Sequence, residues 1–123
     1  MIGGRERGAA ASAGDDAVLA WLRGGPQPER AVLRVAVKAS LAALVAAAPG
    51  RSVEVRVPPF GAVQCVSGPR HGRGTPPNVV ETDAHTWLAI AAGYVSWQDA
   101  LARGALIASG ARAAEVALLL PLR

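Results

Sequence analysis

Cysteine, lysine and aromatic residues are all scarce in this chain of 123 residues. Cys65 is its single cysteine, so neither a disulfide nor a cysteine-based zinc site can form within the chain. Aromatic residues make up 4% of the sequence, and alanine, valine and leucine must therefore fill the core. The aromatic residues are also not interleaved with the basic ones, as stacking on bases requires, which argues against a nucleic-acid partner.

Long apolar runs are absent as well. The longest uncharged stretch, Ala39 to Gly50, is too short to cross a bilayer and ends in Pro-Gly. The N-terminal segment MIGGRERGAAASAGDD contains charged residues and no apolar centre, which is not the pattern of a secretory signal. We therefore expect a cytoplasmic protein without a transmembrane segment. Its formal charge of +4 is attributed to a solvated basic surface.

Catalytic and metal-binding patterns are also missing. His71 and His85 lie fourteen residues apart without a partner at metal-ligand spacing. Glu81 and Asp83 fit a strand residue and a helix cap better than an acid–base pair. No serine stands in a nucleophile elbow, and no glycine-rich segment matches a nucleotide-binding fingerprint. The sequence thus predicts a non-enzymatic protein without a cofactor or a metal.

The chain divides into three parts by composition. Residues 1–14 are glycine, alanine and charged residues, which predicts a disordered tail. Residues 15–27 predict a short helix and a linker, in which Trp21 docks on the main body. Residues 28–123 form the main domain.

Helical and strand patterns alternate irregularly in the main domain. Apolar residues at three- and four-residue spacing predict a long helix from about Pro28 to Ala48. The strict alternation of Ser52 to Val57 predicts a half-buried strand, followed by a hairpin. Helices and strands intermix without a repeating strand–helix unit, which favours an α+β domain with a mainly antiparallel sheet. The later elements are predicted as strands at 62–66, 78–81 and 105–109 and helices at 84–92, 97–103 and 111–120.

An ordered set of motifs marks the second half of the domain: Asp83-x-x-Thr86-Trp87-Leu88-x-x-Ala91-Ala92-Gly93-Tyr94-Val95-Ser96-Trp97-x-x-Ala100-x-x-x-Gly104-x-Leu106-x-x-x-Gly110. In it, an acidic cap opens a helix that ends in glycine, a short helix with a buried alanine follows, and two glycines flank a strand. This set resembles the sterol carrier protein family, and the resemblance covers about residues 30–122. A second block, Arg51 to Asp83, resembles a bacterial stand-alone branch of that family.

This resemblance implies a curved, mainly antiparallel sheet of about four to five strands, with helices packed on one face. It also implies an apolar tunnel that takes up fatty acyl chains or other lipids, often closed or lined by the last helix. The alternative for each tunnel residue is that it simply fills the core. The residues expected near the tunnel are Trp87, Leu101, Leu106, Val116, Leu119 and Leu120.

The segment GPRHGRGTPPNVVETD, residues 68–83, joins two of the predicted strands through a basic loop rich in glycine and proline. In one interpretation it stands at the tunnel mouth, where its basic residues pair with a carboxylate or a phosphate. In a second interpretation, Arg73 pairs with Glu81 or Asp83 and holds the loop to the sheet. In a third, the loop is a solvated connection without a specific role. The residues predicted for the anion or headgroup site are Arg70, His71, Arg73, Thr75 and Asn78.

Three functions remain open from the sequence. The first is a carrier of a lipid or other hydrophobic ligand. The alternative is a protein-interaction or accessory module with a solid core. The third is a detached helper of catalysis, since some bacterial isomerases that use small thiols carry a similar domain beside a helical catalytic half.

Overall fold

The computed structural model describes residues 13–68 and 77–122, which form an α+β structure around one mixed sheet. In chain order, the helices are α1 (13–22), α2 (Arg30–Ala47), α3 (Ala84–Ala92), α4 (Trp97–Ala102) and a C-terminal 3-10 helix (Ala113–Leu119). The strands are β1 (Val53–Val57), β2 (Gly61–Cys65), β3 (Val79–Thr82) and β4 (Leu106–Ser109). Within these residues, no helix combines the length and the apolar character needed to cross a membrane.

The four described strands lie in the order β2-β1-β3-β4. β1 pairs antiparallel with β2, and β3 pairs antiparallel with β4, but the central pair β1–β3 is parallel. The prediction of a mainly antiparallel sheet of four to five strands is therefore refined to a mixed sheet with four described strands. A parallel pair needs a long crossover connection, and the chain between β1 and β3, residues 58–78, includes β2 and is long enough for one.

Each face of the sheet has a distinct character because side chains alternate along every strand. One row across the inner face joins Val63, Val55, Val80 and Ala108, which all lie in or against the core. The neighbouring row on the outer face runs from Ala62 through Arg56 and Glu81 to Ile107, and Ile107 is 64% exposed. On that face the Arg56 guanidinium forms an ion pair with Glu54.

α2 supplies the largest helical contribution to the core. Its buried residues are Leu33, Val37, Leu41 and Leu44, which recur at the three- and four-residue spacing of one helix face. The opposite side exposes small residues and Val35, whose exposure is 69%. The predicted helix from Pro28 to Ala48 is confirmed to within two residues at each end.

α3 packs against α2 through a buried tryptophan. Trp87 has no exposed surface, and its indole N–H donates a hydrogen bond of 2.8 Å to the Ser40 hydroxyl of α2. The Ser40 hydroxyl in turn donates to the carbonyls of Ala36 and Val37, both at 2.9 Å. This relay satisfies a polar group that would otherwise be buried without a partner.

Helix caps set the ends of α3 and α4 as the sequence predicts. The Asp83 carboxylate accepts from the Thr86 N–H at 2.8 Å, and Gly93 ends α3 with a left-handed φ of 84°. The Ser96 hydroxyl accepts from the Asp99 N–H at 3.0 Å. The last predicted helix differs, since it is a 3-10 helix over Ala113–Leu119 instead of an α-helix over 111–120.

The first helix lies against the same core. Val18 of α1 is buried, and the Trp21 ring meets the His85 ring of α3 edge to face, with 4.6 Å between centroids. The Arg23 Nε donates to the Tyr94 hydroxyl at 3.0 Å. The predicted tail, residues 1–14, lies mostly outside the described residues, which begin at residue 13 in α1.

The Trp87–Ser40 bond leads to a stability prediction. Ser40→Ala leaves the buried indole N–H without an acceptor and should lower the free energy of unfolding by about 1–3 kcal/mol. Chemical denaturation monitored by circular dichroism measures this change. In a Trp87→Phe background the same substitution should cost much less, because no indole N–H remains to be satisfied. An equal cost in both backgrounds would show that the hydrogen bond is not responsible.

Candidate functional site

The basic loop leaves and rejoins the fold at two closely held stems. Ser67 and Gly68 form the first stem, and Pro77 and Asn78 form the second. Four of the five residues predicted for the anion or headgroup site, Arg70, His71, Arg73 and Thr75, lie outside the described residues. The fifth, Asn78, is part of the second stem.

Asn78 is buried, and both ends of its side-chain amide are used within the fold. Its Nδ2 donates to the Ser52 carbonyl at 2.8 Å, and its Oδ1 accepts from the Arg112 backbone N–H at 2.9 Å. Its own carbonyl accepts from the Glu54 N–H at 2.9 Å. Asn78 therefore joins β1, β3 and the residue that precedes the 3-10 helix.

Arg112 braces the first stem. Its Nη2 donates to the Ser67 carbonyl at 2.8 Å, and its Nε donates to the Glu115 carboxylate at 2.6 Å. This hydrogen bond, together with the opposite charges, lowers the pKa of Glu115 and raises that of Arg112. A lowered folded-state pKa means that the stabilisation by Glu115 is present above its unfolded pKa and is lost as the pH falls through the folded value.

Two glycines allow the stems to approach this network. A Cβ atom on Gly68 would lie 2.1 Å from the Arg112 Nη1 and 2.2 Å from the Ser52 Oγ. Gly110 has a left-handed φ of 95°, and a Cβ there would lie 2.2 Å from the Pro77 carbonyl oxygen. A larger residue at Gly110 must displace the Pro77 backbone of the second stem, whereas one at Gly68 must displace the Arg112 and Ser52 side chains beside the first stem.

The Ser52 hydroxyl completes the cluster at the first stem. Ser52 is buried, and its Oγ has no hydrogen-bond partner among the described residues. Neither Ser52 nor Arg112 stands out in the sequence as a loop contact. Arg112 lies 45 residues from Ser67 and 34 from Asn78 along the chain, and no local pattern indicates such distant pairs.

A groove with apolar side chains and exposed backbone groups lies between the C-terminal half of α2 and residues 118–122. It encloses about 370 Å³ and is lined by Ala43 and Ala47 of α2 and by residues 118–122. The Leu122 N–H donates to the Ala91 carbonyl of α3 at 2.9 Å, which anchors the tail. Leu118 is 85% exposed at the edge of this groove. Exposure of so large an apolar side chain beside such a groove is typical of a surface that contacts another molecule.

The structure separates the six residues predicted for the tunnel into two groups. Trp87, Leu106 and Val116 are buried in the core. Leu101 is half-buried against the core, while Leu119 and Leu120 line the groove. A tunnel lined by all six stays a prediction, and the groove contains the two from the C-terminal segment.

Cys65 lies in the core, where it packs as a small apolar residue. Burial raises the pKa of its thiol to about 11, so very little thiolate forms at neutral pH and the residue is a poor nucleophile. Within residues 13–68 and 77–122, no three histidine, cysteine or acidic side chains gather as metal ligands.

Comparison with models of protein families assigns the chain to a family. The family model described as bacterial SCP ortholog matches residues 29–122. The chain belongs to this sterol carrier protein-like bacterial family. The match begins one residue before α2 and ends with the tail that lines the groove, so it includes the sheet, the loop stems and the groove. Among curated proteins, none matches the chain.

The Asn78 network generates a prediction. Asn78→Asp keeps the side-chain shape but replaces the Nδ2 donor with an oxygen that faces the Ser52 carbonyl. We expect the free energy of unfolding at neutral pH to fall by about 2 kcal/mol or more, since a charge is then buried and the new oxygen faces the Ser52 carbonyl without a donor, while the other oxygen keeps the Arg112 N–H.

The pH dependence of stability shows whether the buried charge causes the loss in Asn78→Asp. Burial raises the pKa of the introduced carboxyl above its unfolded value, so the variant should approach the parent protein at acidic pH and lose stability as the pH rises. Thermal unfolding measured between acidic and neutral pH checks this. Asn78→Ala is the control, because it also breaks the network but introduces no titrating group. A loss for Asn78→Asp with the same pH profile as the alanine variant would contradict the prediction.

Proposed function

We propose that this protein is a non-enzymatic carrier of an aliphatic lipid chain. The groove between α2 and residues 118–122 carries the proposal, since the described side chains that line it are alanine, leucine and proline. Its volume of about 370 Å³ lies within the usual range for small-ligand sites. Membership of the sterol carrier protein-like family supports the same class of ligand.

The energetics favour an acyl chain as the occupant. Each CH₂ group that leaves water contributes about 0.8 kcal/mol, so even a partly enclosed chain gains appreciable affinity. Leu118 would be covered by such a chain, which removes an exposed apolar side chain from water in the complex. Ala43 and Ala47 have short side chains that let a chain approach the backbone of α2.

The groove is tested first by native mass spectrometry of freshly purified protein, followed by solvent extraction. A discrete added mass that is lost on denaturation, together with uptake of offered palmitate, is the expected result. A clean protein mass without uptake of fatty acids or phospholipids would overturn the proposal.

The Leu118→Gln variant tests whether palmitate binds in this groove. Because Leu118 is 85% exposed, its replacement should leave stability within about 0.5 kcal/mol of the parent. Palmitate affinity should fall roughly tenfold, since the bound chain loses an apolar neighbour. Val35→Gln is the matched control, because Val35 is 69% exposed on α2 but does not line the groove. Equal affinities of the two variants, measured by titration calorimetry, would argue against this groove.

The headgroup contact is proposed for Arg70, His71, Arg73 and Thr75 of the basic loop. The guanidinium groups and the imidazole are the chemistry that pairs with a carboxylate or a phosphate. Asn78 is assigned a different role, because its amide is engaged within the stem.

Arg73→Ala tests this contact. Retention of palmitate should weaken, while retention of the uncharged alcohol with the same chain should not change. If both ligands weaken equally in the variant, the loop affects the fold of the site and not the headgroup.

A further inference from the structure

A second pocket lies at the opposite end of α2 and has a different chemistry. It encloses about 400 Å³ between α1, the N-terminal end of α2, the β1–β2 turn and the start of α3. Leu33 of this pocket and Ala43 of the groove are ten residues apart on one helix, which corresponds to about 15 Å. The two cavities are thus separated along α2, and their described lining residues do not overlap.

Aromatic and proline rings form much of the wall of this pocket. Trp21 and His85 contact each other edge to face, and Phe60 lies across from them on the turn that also contains Pro58 and Pro59. Trp21, Phe60 and His85 reach this pocket from three separate elements, which are α1, the β1–β2 turn and α3. Flat, rigid surfaces of this kind favour a planar apolar ligand.

Arg30 provides the cation of the pocket. Its guanidinium carbon lies 6.0 Å from the centre of the Phe60 ring. Among residues 13–68 and 77–122, the ion pairs are Arg56–Glu54 and Arg112–Glu115, so no described carboxylate neutralises Arg30. A guanidinium held beside an aromatic ring presents a planar set of donors that matches a carboxylate.

Among the described residues of the lining, Asp83 is the one carboxylate, and both of its oxygens already accept hydrogen bonds within α3. Its Oδ1 accepts from the Thr86 N–H at 2.8 Å, and its Oδ2 accepts from the Thr86 hydroxyl at 2.9 Å. Asp83 is therefore a weaker partner for a cationic ligand than a carboxylate with unused oxygens. The N–H donors of Arg30, by contrast, are available to an anionic ligand. The balance of free hydrogen-bonding groups favours an anion.

We propose that the pocket formed by Trp21, Arg30, Phe60 and His85 binds a small aromatic carboxylic acid. The carboxylate pairs with the Arg30 guanidinium, and the ring lies against the Trp21 and Phe60 side chains. This site is separate from the acyl groove and does not depend on it.

Naphthoate is the probe for this site, and the indole N–H signals in nitrogen-15 correlation spectra are the readout. Trp87 and Trp97 are buried, so naphthoate should shift the Trp21 signal and leave the other two in place. A Trp21→Phe variant assigns that signal. The absence of a Trp21 shift at millimolar naphthoate would overturn the proposal.

Charge variants test the role of Arg30. Arg30→Gln should weaken naphthoate binding about tenfold or more, because it removes a charge-assisted hydrogen bond. Arg34→Gln is the matched control, since Arg34 lies one turn further along α2, is also exposed and does not line the pocket. Equal affinities of these two variants would overturn the assignment.

The charge of the ligand provides a second test of the proposed site. Neutral naphthamide should bind more weakly than naphthoate, and Asp83→Asn, which keeps a good helix cap, should not weaken naphthoate. If naphthylmethylamine binds more tightly than naphthoate and Asp83→Asn abolishes its binding, the site takes cations and the proposal is wrong. Leu118→Gln should leave naphthoate affinity unchanged, which separates this result from the test of the acyl groove.

Discussion

The hydrogen bonds of Asn78 hold the two halves of the sheet together. Its carbonyl and its Nδ2 both bond to the backbone around β1, while its Oδ1 fixes the backbone of Arg112. The parallel β1–β3 pair starts at this residue, and the two hairpin-like antiparallel pairs extend from it on either side. One buried amide thus sets the register of the sheet, the position of the C-terminal segment and the second stem of the basic loop.

The C-terminal segment transmits this constraint to the groove proposed for the lipid chain. Arg112 is held by Asn78 and Ser67, so the 3-10 helix that follows has a fixed starting point. At its other end, Leu122 bonds to α3, and the leucines between these anchors lie over α2. The groove therefore depends on contacts at both ends of the segment. A change at the loop stem is expected to alter the groove although the two share no residue.

Local sequence signals were sufficient for much of the fold. Asp83, Gly93 and Ser96 set helix ends through contacts within three or four residues, and the alternation of valines in β1 identifies its buried face. The parallel β1–β3 pairing depends on residues about 25 positions apart in the chain, so no local pattern indicates it. The same holds for the hydrogen bonds that Arg112 makes to Ser67 and Asn78. The C-terminal helix ends one residue before its predicted end, because Leu120 is extended before Pro121. No local pattern in the sequence indicates that this helix is a 3-10 helix.

The burial of Cys65 has a consequence for the environments in which the chain can persist. A lone cysteine usually exposes a protein to intermolecular disulfide formation whenever its surroundings become oxidising. Here the thiol is enclosed, with a pKa of about 11, and it is available to oxidants only when the sheet opens. In the folded chain this thiol is therefore protected from forming intermolecular disulfides, and the single cysteine does not indicate which compartment the chain occupies.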